Sequence, residues 1–456
     1  MSKMGAKIDI ISRELIKPSS PTPKENKEIK LSVLDQLAPH KYFALLFFYQ
    51  NHSSCSEALN PSKATLHLKQ SLSEILTQFY LLAGKLNPDY LSVDCDDSGA
   101  LFVEAKVDAS LSEALQNAPY ESFNQYLPFE LCDDDGHGRL LATYPRDEML
   151  VAAQISWFEC GSNAIGVCIS HKVADFMSYV EFLNSWAAKN RGDCKRFSPD
   201  FDSGRNLFPP SELSLRSPFT ELKGRISCKR FLFDKEKVTE LKDLAISSSS
   251  VVKNPTRVEV VTAFLLKQLI NVERAKKNST NQSAAETRLR IMIRHMVNLR
   301  SRISSLASSS NPNQEFPFGN FSVAPNSVFN PDEDFRDFGD LVKLTSTTIK
   351  KANYDYVMNF VASLSNSGPS NGKAEAEQQQ PTVVHFTSWC RFPFHDLDFG
   401  WGKPFSVGPA GTPDTIRVIL ISTPNEDGIE AWIYRLEDEL ALLPDELLSL
   451  EVTNYF

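Results

Sequence analysis

The stretch GVCISHKVADF, residues 166–176, places a histidine and an aspartate directly after a run of small and apolar residues. Side chains alternate along a strand, so the apolar residues at positions 165, 167 and 169 share a face with His171. The histidine is therefore expected at the end of the strand, on an apolar face. After position 175, apolar residues recur every three or four positions, which predicts a helix. The stretch therefore predicts strand, tight connection and helix, with His171 and Asp175 in the connection.

Two interpretations of this pair are open. Eight histidines are expected to give about half an HxxxD by chance, so the spacing alone does not separate a reaction centre from a buried polar pair. The position favours chemistry, since a dry, unpaired imidazole at a strand end can serve as a general base. Metal binding by His171 and Asp175 is disfavoured because no second histidine stands four residues on and the other histidines show no ligand spacing. No metal is predicted.

Length and composition limit the class of protein. A chain of 456 residues is longer than a domain with a single hydrophobic core usually is, so two domains of about 200 residues each are expected. With 42% hydrophobic and 23% charged residues and no long apolar run, the composition is typical of a soluble protein without a membrane span. Neither end carries a targeting pattern, which predicts a cytoplasmic protein. The net charge of −9 argues against nucleic acid as a partner.

Helical and strand-like segments alternate along the chain, which predicts a mixed α/β fold. We expect an N-terminal domain over residues 1–195 and a C-terminal domain over residues 226–456. A stretch rich in proline, serine, glycine and charge, residues 196–225, is expected to link them. Two segments rich in serine, asparagine and glutamine, 304–314 and 363–381, are predicted to be mobile loops.

A second segment, TSWCRFPFHDLDFGWGKP at residues 387–404, is too unusual for an ordinary loop. It combines two tryptophans, two glycines and two aspartates, residue types whose joint use indicates a demanding backbone geometry. HKVAD followed more than 200 residues later by DFGWG resembles the paired signature of the plant BAHD acyl-CoA-dependent acyltransferases. The resemblance runs along the whole chain, includes FGN at 318–320 and VNLRSR, and points within the family to alkaloid acetyltransferases.

This resemblance implies a fold and a reaction. It implies two similar α/β domains of the chloramphenicol acetyltransferase type, each of mixed β-sheet and helices, with a solvent channel between them. His171 is implied to be the general base that deprotonates an acceptor hydroxyl as it attacks the acyl carbonyl of a coenzyme A thioester. Thr387 and Trp389 match positions near that centre. The indole N–H of Trp389 would donate to the developing oxyanion, although a purely packing role stays open.

Other residues are implied to support this centre. Asp175 is implied to turn away from the channel and to pair with an arginine, with Arg300 as first and Arg302 as second candidate. The second motif is implied to be structural or to shape the coenzyme side, and its residues are Asp398, Phe399, Gly400, Trp401 and Gly402.

Binding of coenzyme A requires donors for its phosphates. Lys253, Thr256 and Arg257 stand at a predicted helix start, where free N–H groups and cations favour anions, although a solvated helix end would look the same. Arg417 enters an otherwise apolar strand, where it is either exposed at the surface or faces the channel. In the channel it would pair with a second carboxylate on the acyl group and favour malonyl over acetyl donors.

The sequence therefore predicts a monomeric O-acyltransferase without a tightly bound cofactor. Its expected partners are acetyl-CoA, or malonyl-CoA, and a small-molecule alcohol, with a monoterpenoid indole alkaloid as the acceptor implied by the resemblance. Three alternatives remain: a malonyl donor, hydroxycinnamoyl or N-acyl transfer by the same centre, and a catalytically silent relative that binds a small molecule.

Overall fold

The computed structural model describes residues 6–51, 60–116, 118–129, 131–133, 140–142, 149–193, 198–211, 224–278, 289–303, 315–335, 337–366, 380–411 and 416–453. The helices are α1 (Val33–Leu37), α2 (Pro61–Gln78), α3 (Leu111–Leu115), α4 (Phe176–Asn190), α5 (Ser203–Leu207), α6 (Lys235–Ser247), α7 (Arg257–Asn278), α8 (Phe338–Lys350), α9 (Tyr354–Asn366), α10 (Glu437–Leu440) and α11 (Asp445–Leu448). Helices of the 3-10 type span Lys24–Asn26, Tyr80–Ala83 and Tyr120–Tyr126.

Two large sheets carry the fold. The first consists, in spatial order, of β1 (Ile8–Ile16), β6 (Ala100–Val107), β9 (Val151–Phe158), β10 (Asn163–Ser170), β3 (Tyr42–Tyr49) and β19 (Ser406–Pro409). The second consists of β17 (Asn326–Phe329), β13 (Ile291–His295), β18 (Thr382–Ser388), β20 (Arg417–Ser422), β21 (Ile429–Leu436), β12 (Ile226–Phe233) and β22 (Glu451–Val452). Smaller sheets pair β2 (Glu28–Lys30), β5 (Ser92–Asp94) and β4 (Lys85–Leu86), then β7 (Leu131–Asp133) with β8 (Leu140–Ala142), β11 (Pro199–Asp200) with β15 (Phe316–Pro317), and β14 (Val297–Asn298) with β16 (Ser322–Val323).

Strands β9 and β10 are buried along their whole length because both faces of the first sheet are covered. Helices α2 and α4 pack on one face, and the 3-10 helix Tyr120–Tyr126 packs on the other. Gly166 fits this arrangement, since a Cβ atom there would collide with the backbone oxygen of Tyr126. The run of small and apolar residues that precedes His171 is therefore a central strand of a two-faced sheet.

The second sheet lies between two apolar cores, and the side chains of its strands point alternately into one and the other. On β20, Val418 and Leu420 pack among helices α6, α7 and α8, whereas Ile419 and Ile421 join the core that contains the first sheet. The first and second halves of the chain therefore share one continuous apolar core. The structure confirms the predicted mixed α/β class.

The sheet membership of β19 departs from the predicted boundaries. This strand belongs to the predicted C-terminal domain by position, yet it pairs antiparallel with β3 at the edge of the first sheet. Nearby, the hydroxyls of Tyr120 and Tyr434 are 3.0 Å apart and join the two halves. The sequence of a four-residue strand does not indicate which sheet the strand joins. Domains predicted as continuous stretches of sequence therefore could not assign β19 to the first sheet.

Most predicted elements are present. The helix predicted between residues 62 and 82 is α2, which ends at Gln78 and continues as a 3-10 helix. The predicted linker 196–225 contains β11 and α5, and its residues 196–197 and 212–223 lie outside the described part. The predicted mobile loop at 304–314 also lies outside it, whereas the first four residues of 363–381 are helical and belong to α9.

No helix in the described ranges is long and apolar enough to cross a membrane.

His295 on β13 is a buried titratable group outside the predicted site. It is 2% exposed, its Nδ1 lies 3.0 Å from the carbonyl oxygen of Met296, and its ring stacks on Phe386. Its Nε2 is buried with no hydrogen-bond partner among the described residues. Burial lowers the pKa of His295 to about 4, because a second proton would create an unpaired buried charge.

We predict that His295→Phe weakens the acid sensitivity of folding. The unfolded chain binds a proton at this residue more tightly than the folded chain, so its contribution is lost as pH falls from about 6.5 towards about 4. The loss should reach about 2 kcal/mol at pH 5 in the wild type and be absent in the variant. Urea unfolding at pH 7 and pH 5 measures it. The exposed His67→Phe is the control, and equal pH dependence in wild type and His295→Phe would contradict the prediction.

Candidate active site

The backbone of His171 is fixed by both halves of the chain. Its N–H donates to the carbonyl oxygen of Lys41 at 2.8 Å, and its own carbonyl accepts from Nδ2 of Asn320 at 2.8 Å. It lies immediately after β10 and four residues before Asp175, the N-cap of α4. The predicted connection between strand and helix is confirmed.

The imidazole of His171 is half-buried against an aromatic ring. Its centroid lies 4.2 Å from that of Phe43, and its Nδ1 has no hydrogen-bond partner within the described ranges. Burial and, secondarily, the charge of Lys41 lower the pKa of His171 to about 4. The ring is therefore neutral at physiological pH and can accept a proton, as a general base requires.

His171 opens into a cavity of about 270 Å³ between the two halves. The first half contributes Pro39, Lys41, Phe43, His171, Asp175, Phe176 and Met177, and the second half contributes Met296, Val297, Asn298, Ser322, His385, Phe386, Thr387, Ser388, Trp389, Phe392 and Arg417. Most of this lining is apolar or aromatic. A cavity with an apolar wall and a few polar groups is the usual form of a small-molecule site.

Strand β18 supplies the predicted neighbours of His171. Val384 and Phe386 face the core of the second sheet, so the alternate residues His385 and Thr387 face the cavity. Trp389 follows the strand and stacks on Phe176, with ring centroids 3.9 Å apart and planes at 4°. The structure thus brings Thr387 and Trp389 to the same cavity as His171. The sequence reasoning missed His385, although alternation from Thr387 could have found it.

Asp175 and Arg300 form the predicted ion pair. Nη1 of Arg300 donates to Oδ2 of Asp175 at 2.8 Å and Nη2 donates to Oδ1 at 3.2 Å, so the contact is bidentate. Asp175 is 3% and Arg300 9% exposed. Burial alone would raise the pKa of Asp175, but the charge and hydrogen bonds of Arg300 outweigh it and lower the pKa. The second candidate, Arg302, instead donates to the carbonyl oxygens of Ile349 and Ala352.

The loop at Phe318–Phe321 lies between this ion pair and the histidine. The carbonyl of Gly319 accepts from the backbone N–H of Asp175 and from Nη2 of Arg300, each at 3.2 Å. The N–H of Phe321 donates to Oδ2 of Asp175 at 2.9 Å. Gly319 has φ of +136°, a conformation that favours glycine. Asp175 therefore organises a loop of the second half and the start of α4 together.

The DFGWG segment lies at the opposite end of α4. Oδ1 of Asp398 accepts from the N–H groups of Gly400 and Gly402 at 2.7 and 2.9 Å, which closes the loop on itself. Asn190, the last residue of α4, donates to the carbonyl of Phe399 at 2.6 Å. Trp401 packs on Tyr49 and Phe399, 6.0 and 5.8 Å between ring centroids. Helix α4 is roughly 22 Å long, so this loop stands far from the imidazole. Its implied role, structural or on the coenzyme side, stays a prediction.

The residues predicted to bind coenzyme A lie outside the cavity. Lys253 and Thr256 are exposed, and α7 begins at Arg257 as expected. The N–H of Thr256 donates to a carboxylate oxygen of Glu259 at 2.7 Å, and the N–H of Glu259 donates to Oγ1 of Thr256 at 3.2 Å. This capping box already satisfies part of the helix terminus. Their role in binding phosphate stays a prediction.

Arg417, in contrast, faces the cavity. It starts β20, lies opposite Tyr434 on β21, and its guanidinium sits 5.4 Å from the centre of the Tyr434 ring. Of the two positions considered from sequence, the one in the channel is therefore observed. Within the described residues, no group of three or more histidine, cysteine, aspartate or glutamate side chains could hold a metal ion.

Comparisons with known proteins show similarity along nearly the whole chain. The model of the Transferase family matches residues 6–447. Stemmadenine O-acetyltransferase from Catharanthus roseus is 41% identical over 452 residues, covering 99% of this chain and 100% of the relative. Vinorine synthase from Rauvolfia serpentina is 39% identical over 459 residues, covering 99% and 100%.

Solved structures give the same picture of the fold. The crystal structure of vinorine synthase superimposes with a TM-score of 0.79 at 38% identity, covering 98% of this chain and 100% of that one. F. sporotrichioides TRI101, complexed with coenzyme A and T-2, has a TM-score of 0.68 at 16% identity, covering 93% and 99%. The second likeness concerns the fold alone.

We predict that Asp175→Ala lowers stability and activity together. The change leaves Arg300 as a buried, uncompensated charge, which should reduce the free energy of unfolding by about 3–5 kcal/mol. Loss of the N-cap and of the Phe321 contact should also displace the connection that carries His171. Urea unfolding and steady-state kinetics measure both effects. Arg302→Ala is the matched control: it removes only the hydrogen bonds to the carbonyls of Ile349 and Ala352, so it should cost about 1 kcal/mol of stability and leave activity unchanged. Full stability in Asp175→Ala would show that the ion pair does not hold the site.

Proposed function

The chain belongs to the Transferase family of acyl-CoA-dependent BAHD acyltransferases, and from this membership we propose that it transfers an acetyl group from acetyl-CoA to a hydroxyl of a monoterpenoid indole alkaloid. The observation that carries the proposal is the neutral imidazole of His171 in a cavity that both halves line. The relatives named stemmadenine O-acetyltransferase and vinorine synthase support the acetyl donor and the alkaloid class of acceptor.

The reaction proceeds through a ternary complex without an acyl-enzyme. His171 takes the proton of the acceptor hydroxyl while its oxygen attacks the thioester carbonyl, and a C–O bond forms. The tetrahedral intermediate then collapses and the C–S bond breaks. The departing thiolate takes the proton from the imidazolium, so the products are the ester and free coenzyme A. Binding both substrates in one cavity supplies the proximity that a single base needs.

Thr387 and Trp389 are the proposed donors to the oxyanion. Both line the cavity, and Trp389 is held by its stack on Phe176 and by a backbone hydrogen bond to Leu420 at 2.7 Å. A donor that is already oriented stabilises developing charge without reorganisation during the reaction. The fixed indole is consistent with this role and also with packing of the wall.

The apolar wall supports a bulky polycyclic acceptor. Phe43, Phe176, Trp389 and Phe392 surround the cavity with aromatic faces, and Met296 adds a flexible apolar side chain. Such a wall favours a flat, largely apolar scaffold with its reacting hydroxyl turned towards His171.

We predict that His171→Ala lowers kcat by about 10²–10⁴-fold, because the proton acceptor is lost while the binding walls remain. Purified protein is incubated with acetyl-CoA and a panel of indole alkaloid alcohols, and the esters are quantified by mass spectrometry. The exposed His67→Ala should turn over as the wild type. Unchanged turnover in His171→Ala would remove the base assignment, whereas no ester from any alkaloid alcohol with the wild type would reject this acceptor class.

A malonyl donor is the second candidate, and the position of Arg417 favours it. Its guanidinium lies in the same cavity as His171, where it can bind a terminal carboxylate of the acyl group through two parallel hydrogen bonds. An acetyl group offers no such partner. The cavity wall thus contains a residue able to discriminate the two donors.

We predict that Arg417→Leu reduces the ratio of kcat/KM for malonyl-CoA to that for acetyl-CoA by about 10- to 100-fold, the size expected for a charged hydrogen bond. Competition between the two thioesters, read by product mass, measures the ratio. Arg417→Lys keeps the charge without the bidentate geometry and should fall between. A ratio that does not change in Arg417→Leu would leave acetyl-CoA as the donor and reject a role of Arg417 in donor choice.

A further inference from the structure

Asp35 on α1 is a buried carboxylate that the reaction described above does not use. It is 6% exposed, and its two oxygens have different partners. Oδ2 accepts from the N–H of Ser32 at 3.0 Å and from its hydroxyl at 2.5 Å, which forms the capping box of α1. Oδ1 accepts from the backbone N–H of Asn320 at 2.7 Å and from its Nδ2 at 2.8 Å.

Asn320 connects this carboxylate to the histidine. Its Nδ2 has two hydrogens, of which one points to Asp35 and the other to the carbonyl of His171 at 2.8 Å. Its Oδ1 is buried and has no hydrogen-bond partner among the described residues, and the same holds for Nδ1 of His171. The observed contact between Asn320 and His171 is therefore the hydrogen bond to the main chain of the histidine.

An ionised carboxylate accepts hydrogen bonds and donates none. Asp35 therefore permits only one orientation of the Asn320 amide, with nitrogen towards the carboxylate and oxygen away from it. Burial raises the pKa of Asp35, and the hydrogen bonds from Ser32 and Asn320 oppose this shift. A flipped amide would lose both of its nitrogen contacts.

We propose that Asp35 is a positioning residue for His171: by fixing the Asn320 amide, it holds the hydrogen bond from Asn320 Nδ2 to the His171 carbonyl and so anchors the main chain of the histidine. The proposal rests on the proposed function, since it assigns the base role to His171. The position matters because a general base must lie within hydrogen-bond reach of the hydroxyl proton that it takes.

The two oxygens of Asp35 allow its structural and positioning roles to be separated. Ser32→Ala removes the hydroxyl contact of Oδ2 and the side-chain cap of α1 without changing the contacts of Oδ1. It should cost about 1 kcal/mol of stability, within the range for loss of an N-cap, and leave kcat unchanged. Asp35→Ala removes both sets of contacts, so only this variant releases Asn320.

The test is a kinetic double-mutant cycle. Asp35→Ala and Asn320→Ala should each lower kcat by about 10- to 100-fold, the effect of a misplaced catalytic group, with KM within about 2-fold of the wild type. Because Asp35 acts through Asn320, the double variant should be no slower than Asn320→Ala alone. Additive losses, or equal kcat in Asp35→Ala and Ser32→Ala, would overturn the proposal.

A second variant applies even if Asp35→Ala does not fold. Asn320→Asp keeps the size of the side chain but replaces the donating nitrogen with an oxygen, so the contacts to Asp35 and to the His171 carbonyl are both lost. We expect kcat to fall by about 10-fold or more with KM within about 2-fold of the wild type, and an unchanged kcat would reject the proposal. Failure of the proposed function is seen separately, because His171→Ala would then retain turnover.

Discussion

Two buried aspartates of the first half of the chain accept hydrogen bonds from one short loop of the second half, Phe318–Phe321. The position of the His171 imidazole depends on these contacts. Oδ1 of Asp35 accepts the N–H of Asn320, and Oδ2 of Asp175 accepts the next N–H along the chain, that of Phe321. Burial removes the hydration of each carboxylate, and protein contacts replace it: Arg300 pairs with Asp175, and the donors of Ser32 and Asn320 bind Asp35. Because an unpaired buried carboxylate costs free energy, the loop is stable only in the position where these contacts form.

The same burial sets the chemistry of the cavity. An imidazole that is desolvated and close to a cation stays neutral, while the ionised carboxylate four residues away is turned from it and neutralised by an arginine. His171 and Asp175 therefore do not act as a proton relay. The carboxylate of Asp175 holds the surrounding loop and helix in place, and the imidazole of His171 faces the cavity. One short segment therefore contains both a rigid support and a reactive group.

Local pattern predicted the elements around His171 well, because β10 and α4 are long and strongly periodic. Resemblance supplied what pattern could not, namely the pairing of Asp175 with Arg300, which are 125 residues apart. Asp35 and Asn320 are 285 residues apart, and neither stands in a periodic run that would single it out. Phe43, Lys41 and the crossing strand β19 were missed for the same reason: their contacts exist only after distant segments meet.

Strand β19 has a consequence for the order of events during synthesis. It covers β3, whose last five residues are fully buried and apolar, at the edge of the first sheet. Until residue 409 has left the ribosome, that edge has no partner from its own chain and presents unpaired backbone groups. The sheet of the nascent first half is therefore complete only after residue 409 has been made, so closure of this edge is a late step of folding.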